Sequence, residues 1–376
     1  MKIAIDIREA LSQKTGKGYY TYNIVREILK IDKTNQYILY TNSPGNPYSF
    51  FKNVEIRMTP EPGWKWHYRT LQDIKKEKPD LFFSPTSYII PALAPKSLSV
   101  IITVHDLVAF FYPLTHSTKA VIVERLALPL AIKKARHIFT VSENTQKDII
   151  KRFHCRKNKI QVVPCGLSPF YTNPVSPLEL EKVGEKFLLP KNFILAVGTL
   201  EPRKNLNTLI KSFVIVKRKL PGFKLVIIGK QGWNYKSIEK NIQHLKLKDD
   251  ILFLGYLEES DLQKVYKLAT VFVFPSLYEG FGIPPLEAMA CGCPVVSSNT
   301  SSMPEVIGDA GILIDPKNAF KLANALIDLI ENDQVRNMFI ERGRERIKKF
   351  NWEESAHTVL KTFKAICQSH DSHRTV

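Results

Sequence analysis

Two glutamates eight positions apart, Glu279 and Glu287, carry the most specific chemistry in this chain. They stand in Tyr278-Glu279-Gly280-Phe281-Gly282-Ile283-Pro284-Pro285-Leu286-Glu287-Ala288-Met289-Ala290. Glu279 falls in a glycine-bracketed turn. Pro284 and Pro285 predict a helix start, with Glu287 on its first turn. Backbone N–H groups at such a start take phosphate, and carboxylates accept from hydroxyls. The segment suits a ligand with an anionic part and a polyhydroxylated part. Taken singly, each residue has a plainer reading: Glu287 complements the helix dipole, and Gly280 and Gly282 serve a tight turn.

A second string, Ala196-Val197-Gly198-Thr199-Leu200-Glu201-Pro202-Arg203-Lys204-Asn205-Leu206, ends a strand at Gly198 and sets two cations before a helix. Cations there oppose the helix dipole, at a cost of a few tenths of a kcal/mol or more, so their placement points to an anionic ligand. Arg203 offers a fork for two oxygens and Lys204 a point charge. In Thr15-Gly16-Lys17-Gly18-Tyr19, Gly16 and Gly18 permit close backbone approach to a phosphate or sugar, though a plain turn explains them as well. Thr103-Val104-His105-Asp106-Leu107 puts His105 at the end of an apolar strand. Such a histidine is either a hydrogen-bonded core residue or a cleft residue.

The run Pro275 to Gly282, continued by Pro285-Leu286-Glu287-Ala288-Met289-Ala290-Cys291-Gly292-Cys293-Pro294-Val295-Val296, resembles the signature of retaining glycosyltransferase family 4. In that family two glutamates separated by seven residues hold the donor sugar nucleotide. The resemblance spans nearly the whole chain and implies a GT-B fold: two Rossmann-like α/β domains facing across a cleft, with a C-terminal helix crossing back to the first. It implies catalytic roles for Glu279, Lys204, Arg203 and His105, with His105 approaching the transferred sugar and Asp106 orienting it or accepting a proton. It implies donor binding by Gly16, Gly18, Gly280, Phe281, Gly282, Ile283 and Glu287, and a nucleoside pocket at Gly229, Lys230, Tyr256 and Leu257, near Leu262. Tyr256 stacks on the base or merely packs; the sequence leaves both open. Many family members carry an arginine directly after the glycine. Here that place is Thr199, which shifts load onto Arg203.

No Asp-x-Asp triplet occurs, so the resemblance implies that protein cations replace a metal under the diphosphate and that no cofactor is needed. Retention would follow from same-face attack, the acceptor hydroxyl giving its proton to the leaving phosphate. The strings at 103–107 and 199–205 look most like mannosyltransferase-type members that build bacterial surface polysaccharide. The implied donor is GDP-mannose and the acceptor a glycan or lipid-linked sugar. Two rivals stand beside this: a sugar-nucleotide epimerase of the same fold, and a nucleic-acid-binding protein suggested by charge. The basic clusters carry few of the interleaved aromatics the latter needs, so no nucleic-acid partner is expected.

These residues need a scaffold. Apolar, β-branched runs at Lys2–Ile7, Tyr37–Tyr40, Leu81–Ser84, Val100–Val104 and His137–Val141 alternate with helical stretches. A second series follows at Phe193–Gly198, Lys224–Gly229, Ile251–Leu254, Val271–Pro275 and Pro294–Ser297. Such alternation calls for parallel sheets covered on both faces. Five prolines between 164 and 190 mark the break. The expected domains are 1–175, joined by a crossing helix in 352–376, and 186–350.

At 376 residues the chain exceeds one growing core, so two domains are the default. Its 44% hydrophobic and 24% charged content is that of a soluble globular protein. The apolar stretch from Leu98 to Leu114 is interrupted by His105 and Asp106, and falls short of the roughly 20 residues a membrane helix needs. Met1 to Asp6 enters a strand with no signal-peptide pattern, so the expected location is cytoplasmic. Five cysteines without metal-ligand spacing read as buried thiols in a reducing compartment. The net charge of +18 is uneven: residues 1–175 hold 26 Lys and Arg against 13 Asp and Glu. A basic face of this kind attracts anionic lipid, and peripheral contact at the inner face of the membrane is the implied partner interaction.

Overall fold

The computed structural model describes residues 1–11, 16–45, 47–115, 118–232 and 235–371. Thr15, from the glycine string, lies outside them. By Cα proximity the chain divides into two units. One comprises Met1–Pro113, Ser117–Gly166 and Asn351–Val376; the other comprises Leu114–His116 and Leu167–Phe350.

The first unit is built on β1 (Lys2–Asp6), β2 (Gln36–Thr41), β3 (Val54–Met58), β4 (Leu81–Ser84), β5 (Ser99–Val104), β6 (His137–Thr140) and β7 (Ile160–Val162). They form one sheet in the order β3-β2-β1-β4-β5-β6-β7, with every paired neighbour parallel. Ile3, Ala4, Ile5, Leu81, Phe82 and Phe83 are fully buried, so both pleat faces are covered, as parallel strands demand. The closing helix, Trp352–Asp371, packs in this unit against the helix Gly16–Ile31. The Trp352 ring meets Tyr20 edge-on at 5.7 Å, and a side chain at Gly166 would collide with Trp352.

The second unit holds β8 (Phe193–Val197), β9 (Lys224–Ile228), β10 (Ile251–Gly255), β11 (Val271–Phe274), β12 (Val295–Ser298) and β13 (Gly311–Ile314), ordered β10-β9-β8-β11-β12-β13 and again parallel throughout. The reversal beside β8 opens a crevice at the strand ends, the usual ligand position in such sheets. Its core gathers Ile194, Leu209, Phe213, Leu225, Val273 and Leu326.

All ten strands expected from the sequence are present within a residue or two. Three were not anticipated: β3, β7 and β13, each at a sheet edge. β3 and β7 mix polar residues with apolar ones, Glu55 and Arg57 in β3 and Gln161 in β7, so they lack the continuous apolar run that marks a central strand, and the apolar run of β13, Ile312 to Ile314, is only three residues long. Among the described residues no helix is long and apolar enough to cross a membrane.

Candidate active site

In the second unit the chain leaves β8 through Gly198 at φ 150°, then forms the short 3-10 turn Pro202–Lys204. Asn205, left-handed at φ 61°, opens the helix Leu206–Lys219. Its amide donates to the carbonyls of Pro275 at 3.1 Å and Pro316 at 2.6 Å, tying this turn to the loop after β11. That loop carries Glu279. Ser301 fixes it: its Oγ accepts from the Glu279 N–H at 3.0 Å and donates to the Glu279 carbonyl at 2.6 Å. Ser302 donates to the Phe281 carbonyl at 2.6 Å.

The two loops bring four charges together. Arg203 Nη1 donates to Glu279 Oε2 at 2.6 Å and to the Tyr278 carbonyl at 3.2 Å, while Nη2 reaches Glu201 Oε1 at 2.6 Å. Lys204 Nζ donates to Glu279 Oε1 at 2.6 Å and sits 4.6 Å above the Phe274 ring. All four side chains are 16% exposed or less, so these are desolvated charges in a balanced set of two cations and two carboxylates. Burial acts to raise the Glu279 carboxyl, but Arg203 and Lys204 overcome it and hold it below the ordinary glutamate value. Burial, with Arg203 adding, lowers the Lys204 ammonium despite the attraction of Glu279.

The sequence reading gave Arg203 a fork for two oxygens of an anionic ligand. In the structure the fork engages Glu201 and Glu279, because a buried guanidinium needs counter-charge. Glu201 was quoted in that string without a role, and its place two residues before the cations was the available signal.

Gly198 lets Lys204 lie across it, since a Cβ there would come within 3.2 Å of Lys204 Cε. Gly198→Ala should therefore cost about 1–3 kcal/mol through backbone strain and slow turnover at least about tenfold by displacing Lys204. Thermal unfolding and steady-state rates would check this; an unchanged rate would free Lys204 from any dependence on that glycine.

The helix after Glu279 runs Ile283–Ala290, with Gly282 as N-cap at φ 115°. This corrects two expectations. The helix starts before the prolines, so Glu287 is its fifth residue, on the second turn and too far in to complement the dipole. Pro284 and Pro285 then hold the second and third helical positions and have no N–H, so two of the four donors expected for phosphate do not exist. Nor does Glu287 join the Arg203–Lys204 cluster. It is half-buried, accepts from the Tyr266 hydroxyl at 3.0 Å, and has Tyr171 as a second donor. Burial pushes its carboxyl up to about 7, with the two hydroxyls only partly offsetting and Glu259 adding to the rise.

The nucleoside candidates also meet. Gly229 is required by packing: a Cβ there would lie 2.0 Å from the Gly198 carbonyl oxygen, and its N–H donates to the Gly255 carbonyl at 2.7 Å. Lys230 Nζ sits 5.1 Å over the Tyr256 ring, which is 37% exposed, and Leu257 is buried. The Tyr256 face thus carries a cation.

In the first unit Gly16 and Gly18 belong to the first turn of the helix Gly16–Ile31, not to a loop before it. His105 is buried at the end of β5. Its Nε2 lies 2.8 Å from the Pro85 carbonyl and its ring meets Tyr20 edge-on at 4.7 Å. Burial and the nearby Lys17 charge push it down to about 4. The neutral ring must carry its proton on Nε2, because Pro85 offers only an acceptor, and Nδ1 is left as an acceptor atom. The Pro85 carbonyl, not the Asp106 carboxylate, orients this ring; Asp106 accepts from the Val108 N–H at 3.0 Å and starts the next helix. Three side chains given no role from the sequence lie near this end of the sheet: Lys17, whose charge acts on His105 and Glu124, Glu124 itself, and the neutral Tyr88, whose ionisation burial, Glu124 and Asp106 oppose. Burial, reinforced by Asp106, raises the Glu124 carboxyl in spite of Lys17. They are far apart in sequence, and only Lys17 stands in a quoted string, between Gly16 and Gly18.

Among the described residues no group of three His, Cys, Asp or Glu is placed to hold a metal ion. Cys165, Cys291, Cys293 and Cys367 are buried free thiols, and Cys155 is half-buried.

Both units match family models. Residues 16–169 match Glycosyltransferase Family 4, and residues 179–346 match Glycosyl transferases group 1. The chain is 31% identical over 289 residues to O-antigen chain mannosyltransferase B of Escherichia coli, covering 76% of this chain and 75% of that one. It is 28% identical over 241 residues to the serotype-specific mannosyltransferase WbdA of Escherichia coli, covering 63% of this chain but only 30% of that longer protein. Among solved structures, Anabaena HepE in complex with UDP-glucose aligns with a TM-score of 0.78 at 19% identity, over 97% of this chain and 100% of that one. The chain belongs to glycosyltransferase family 4, and its two parallel α/β units are those of the GT-B fold.

Proposed function

We propose that this glycosyltransferase moves a hexose with retention, mannose from GDP-mannose, onto a glycan or lipid-linked acceptor in surface polysaccharide synthesis. Residues 186–350 take the sugar nucleotide, and residues 1–175 with the closing helix take the acceptor. The observation that carries this reading is the buried Arg203–Lys204–Glu279 cluster at the strand ends of the second unit. Cations fixed in a desolvated site stabilise charge developing on a leaving diphosphate without reorganisation. The bond from the anomeric carbon to the diphosphate oxygen breaks and takes its electron pair to phosphate. The acceptor hydroxyl attacks the same face and passes its proton to that phosphate oxygen. Glu279 holds sugar hydroxyls once the diphosphate shares Arg203 and Lys204. Neutral His105 accepts a sugar hydroxyl at Nδ1. Lys230, Tyr256 and Leu257 line the nucleoside side, with Glu287 and the 280–283 backbone beside the donor. The cations do the work for which other transferases recruit a metal, so turnover survives chelation and needs no cofactor.

The mannose assignment is supported by the two relatives named as mannosyltransferases. Cytoplasmic placement is supported by the free thiols. Hydrolysis and transfer should be followed across GDP-, UDP- and dTDP-sugars, with and without EDTA. GDP-mannose should turn over fastest and EDTA should change nothing. Turnover confined to a UDP- or dTDP-sugar would reject GDP-mannose, and release of an epimer from donor alone would favour an epimerase.

A further inference from the structure

Of the charged side chains clustered at the strand ends of the second unit, Glu201 has no part in the proposed reaction. It is buried, and its backbone is fixed from both sides. Its N–H donates to the Thr199 carbonyl at 2.8 Å, and its own carbonyl accepts from the Lys204 N–H at 3.0 Å. One residue earlier, the Leu200 N–H donates to the Lys230 carbonyl at 2.9 Å, and Leu200 bridges to Gln231. The chain after β9 presses closely here: a Cβ at Gly232 would lie 2.7 Å from the Leu200 carbonyl oxygen. Packing of this kind leaves the segment that carries Glu201 little room to shift.

Arg203 hangs between this fixed acid and a second one. Its carbonyl accepts from the Leu277 N–H at 2.8 Å. Its fork divides: Nη1 goes to Glu279 Oε2 and Nη2 to Glu201 Oε1, each at 2.6 Å. The two arms have different fates in the proposed reaction. The Nη1 arm must be shared with the diphosphate as the Glu279 side chain turns to sugar hydroxyls. The Nη2 arm keeps its partner, because Glu201 stands two residues away on the same turn. A guanidinium with one arm released and the other unheld would swing about its last side-chain bonds. One charge-assisted bond to a fixed acid keeps its plane.

We infer that Glu201 is a positioning residue: it holds the Arg203 fork in line with the departing diphosphate while Glu279 changes partners, and does not itself touch the donor. This rests on reading the cluster as the diphosphate site. It also gives a reason for a buried carboxylate beside an anion's path, where its charge alone would weaken binding. A cation stabilises developing charge best when it is already aimed and has no reorganisation left to undergo.

Steady-state kinetics with GDP-mannose, or with the UDP- or dTDP-sugar that the donor comparison selects, test this. Glu201→Ala should lower kcat by about 10²-fold, the usual cost of a misplaced group. The donor KM should stay within about threefold, as for an interaction made mainly in the transition state. Glu201→Gln keeps the length and an accepting oxygen but offers a neutral hydrogen bond in place of a charge-assisted one. Its kcat should stand about tenfold below the parent and tenfold above alanine, with thermal unfolding close to the parent's, so it decides the matter if alanine does not fold. Either variant within about threefold of the parent kcat, or glutamine no faster than alanine, would overturn the inference. So would a KM that climbs in step with the fall in kcat, since that would mean the whole turn had collapsed. Lys204→Met separates the inference from the reading beneath it. If that variant keeps the parent rate, the diphosphate lies elsewhere and both fall; if it collapses while Glu201→Ala does not, only the role of Glu201 falls.

Discussion

Lys204→Met should reduce transfer by about 10²- to 10³-fold, the usual cost of removing one preorganised group that stabilises developing charge. Lys204 is the better test of the cluster than Glu279, for a reason visible in the pairing. Glu279 is the common partner of both cations, so Glu279→Ala leaves two buried positive charges with only Glu201 beside them. Breaking a buried pair that way costs about 3–5 kcal/mol of stability, which confuses lost chemistry with lost fold. In Lys204→Met, Glu279 keeps the Arg203 fork, and a long apolar side chain still covers Gly198 and the Phe274 ring. Unfolding should shift modestly while kcat collapses. Glu279→Gln then separates the roles: it keeps hydrogen-bonding capacity toward sugar hydroxyls but no longer neutralises the cations. A Lys204→Met enzyme working within about threefold of the parent rate would remove the diphosphate from this site.

The balance of that cluster was not legible in the sequence, although each member was. Arg203 and Lys204 announce themselves before the helix Leu206–Lys219, and Glu279 by its glycines. Their mutual contact depends on β8 and β11 lying side by side, 75 residues apart in the chain. A one-dimensional reading therefore saw two cations waiting for an anion, where the fold supplies carboxylates. The same limit explains His105: its strand was read correctly, but only the fold brings the Pro85 carbonyl to Nε2 and buries the ring, with Lys17 adding, so that it stays neutral. Central strands such as β1, β4 and β8 were legible because burial on both faces leaves a continuous apolar run. β3 and β7 were not, because Glu55, Arg57 and Gln161 break their apolar runs, and β13 was not, because its run is only three residues long; the edge strand β10, apolar from Ile251 to Leu254, was legible. The missing N–H groups of Pro284 and Pro285 were present in the sequence; proline was read there as a helix start without counting the donors it removes.

Glu287→Gln should make the protein more stable above neutral pH and leave it nearly unchanged in acid. In the folded chain burial raises the Glu287 carboxyl to about 7, from an ordinary value of 4.5, even with Tyr266 and Tyr171 donating to it. The native state therefore holds a proton that the unfolded chain releases between these two values. The stabilising contribution is full below about pH 4.5, declines as pH rises through the window to about 7, and is gone above it. Two and a half pH units correspond to about 3 kcal/mol as an upper figure. Glutamine cannot titrate, yet its side-chain carbonyl still accepts from the tyrosine hydroxyl, so the variant escapes the loss without opening a cavity. Denaturant unfolding at pH 5 and pH 8 measures it: the parent should lose stability relative to Glu287→Gln between those points. Parallel curves would mean that Glu287 is ionised and solvated throughout. A site already ionised and wet, rather than one that burial keeps partly protonated near neutral pH, would also be freer to accept hydroxyls, so the same pair of curves bears on the donor-binding role proposed for that residue.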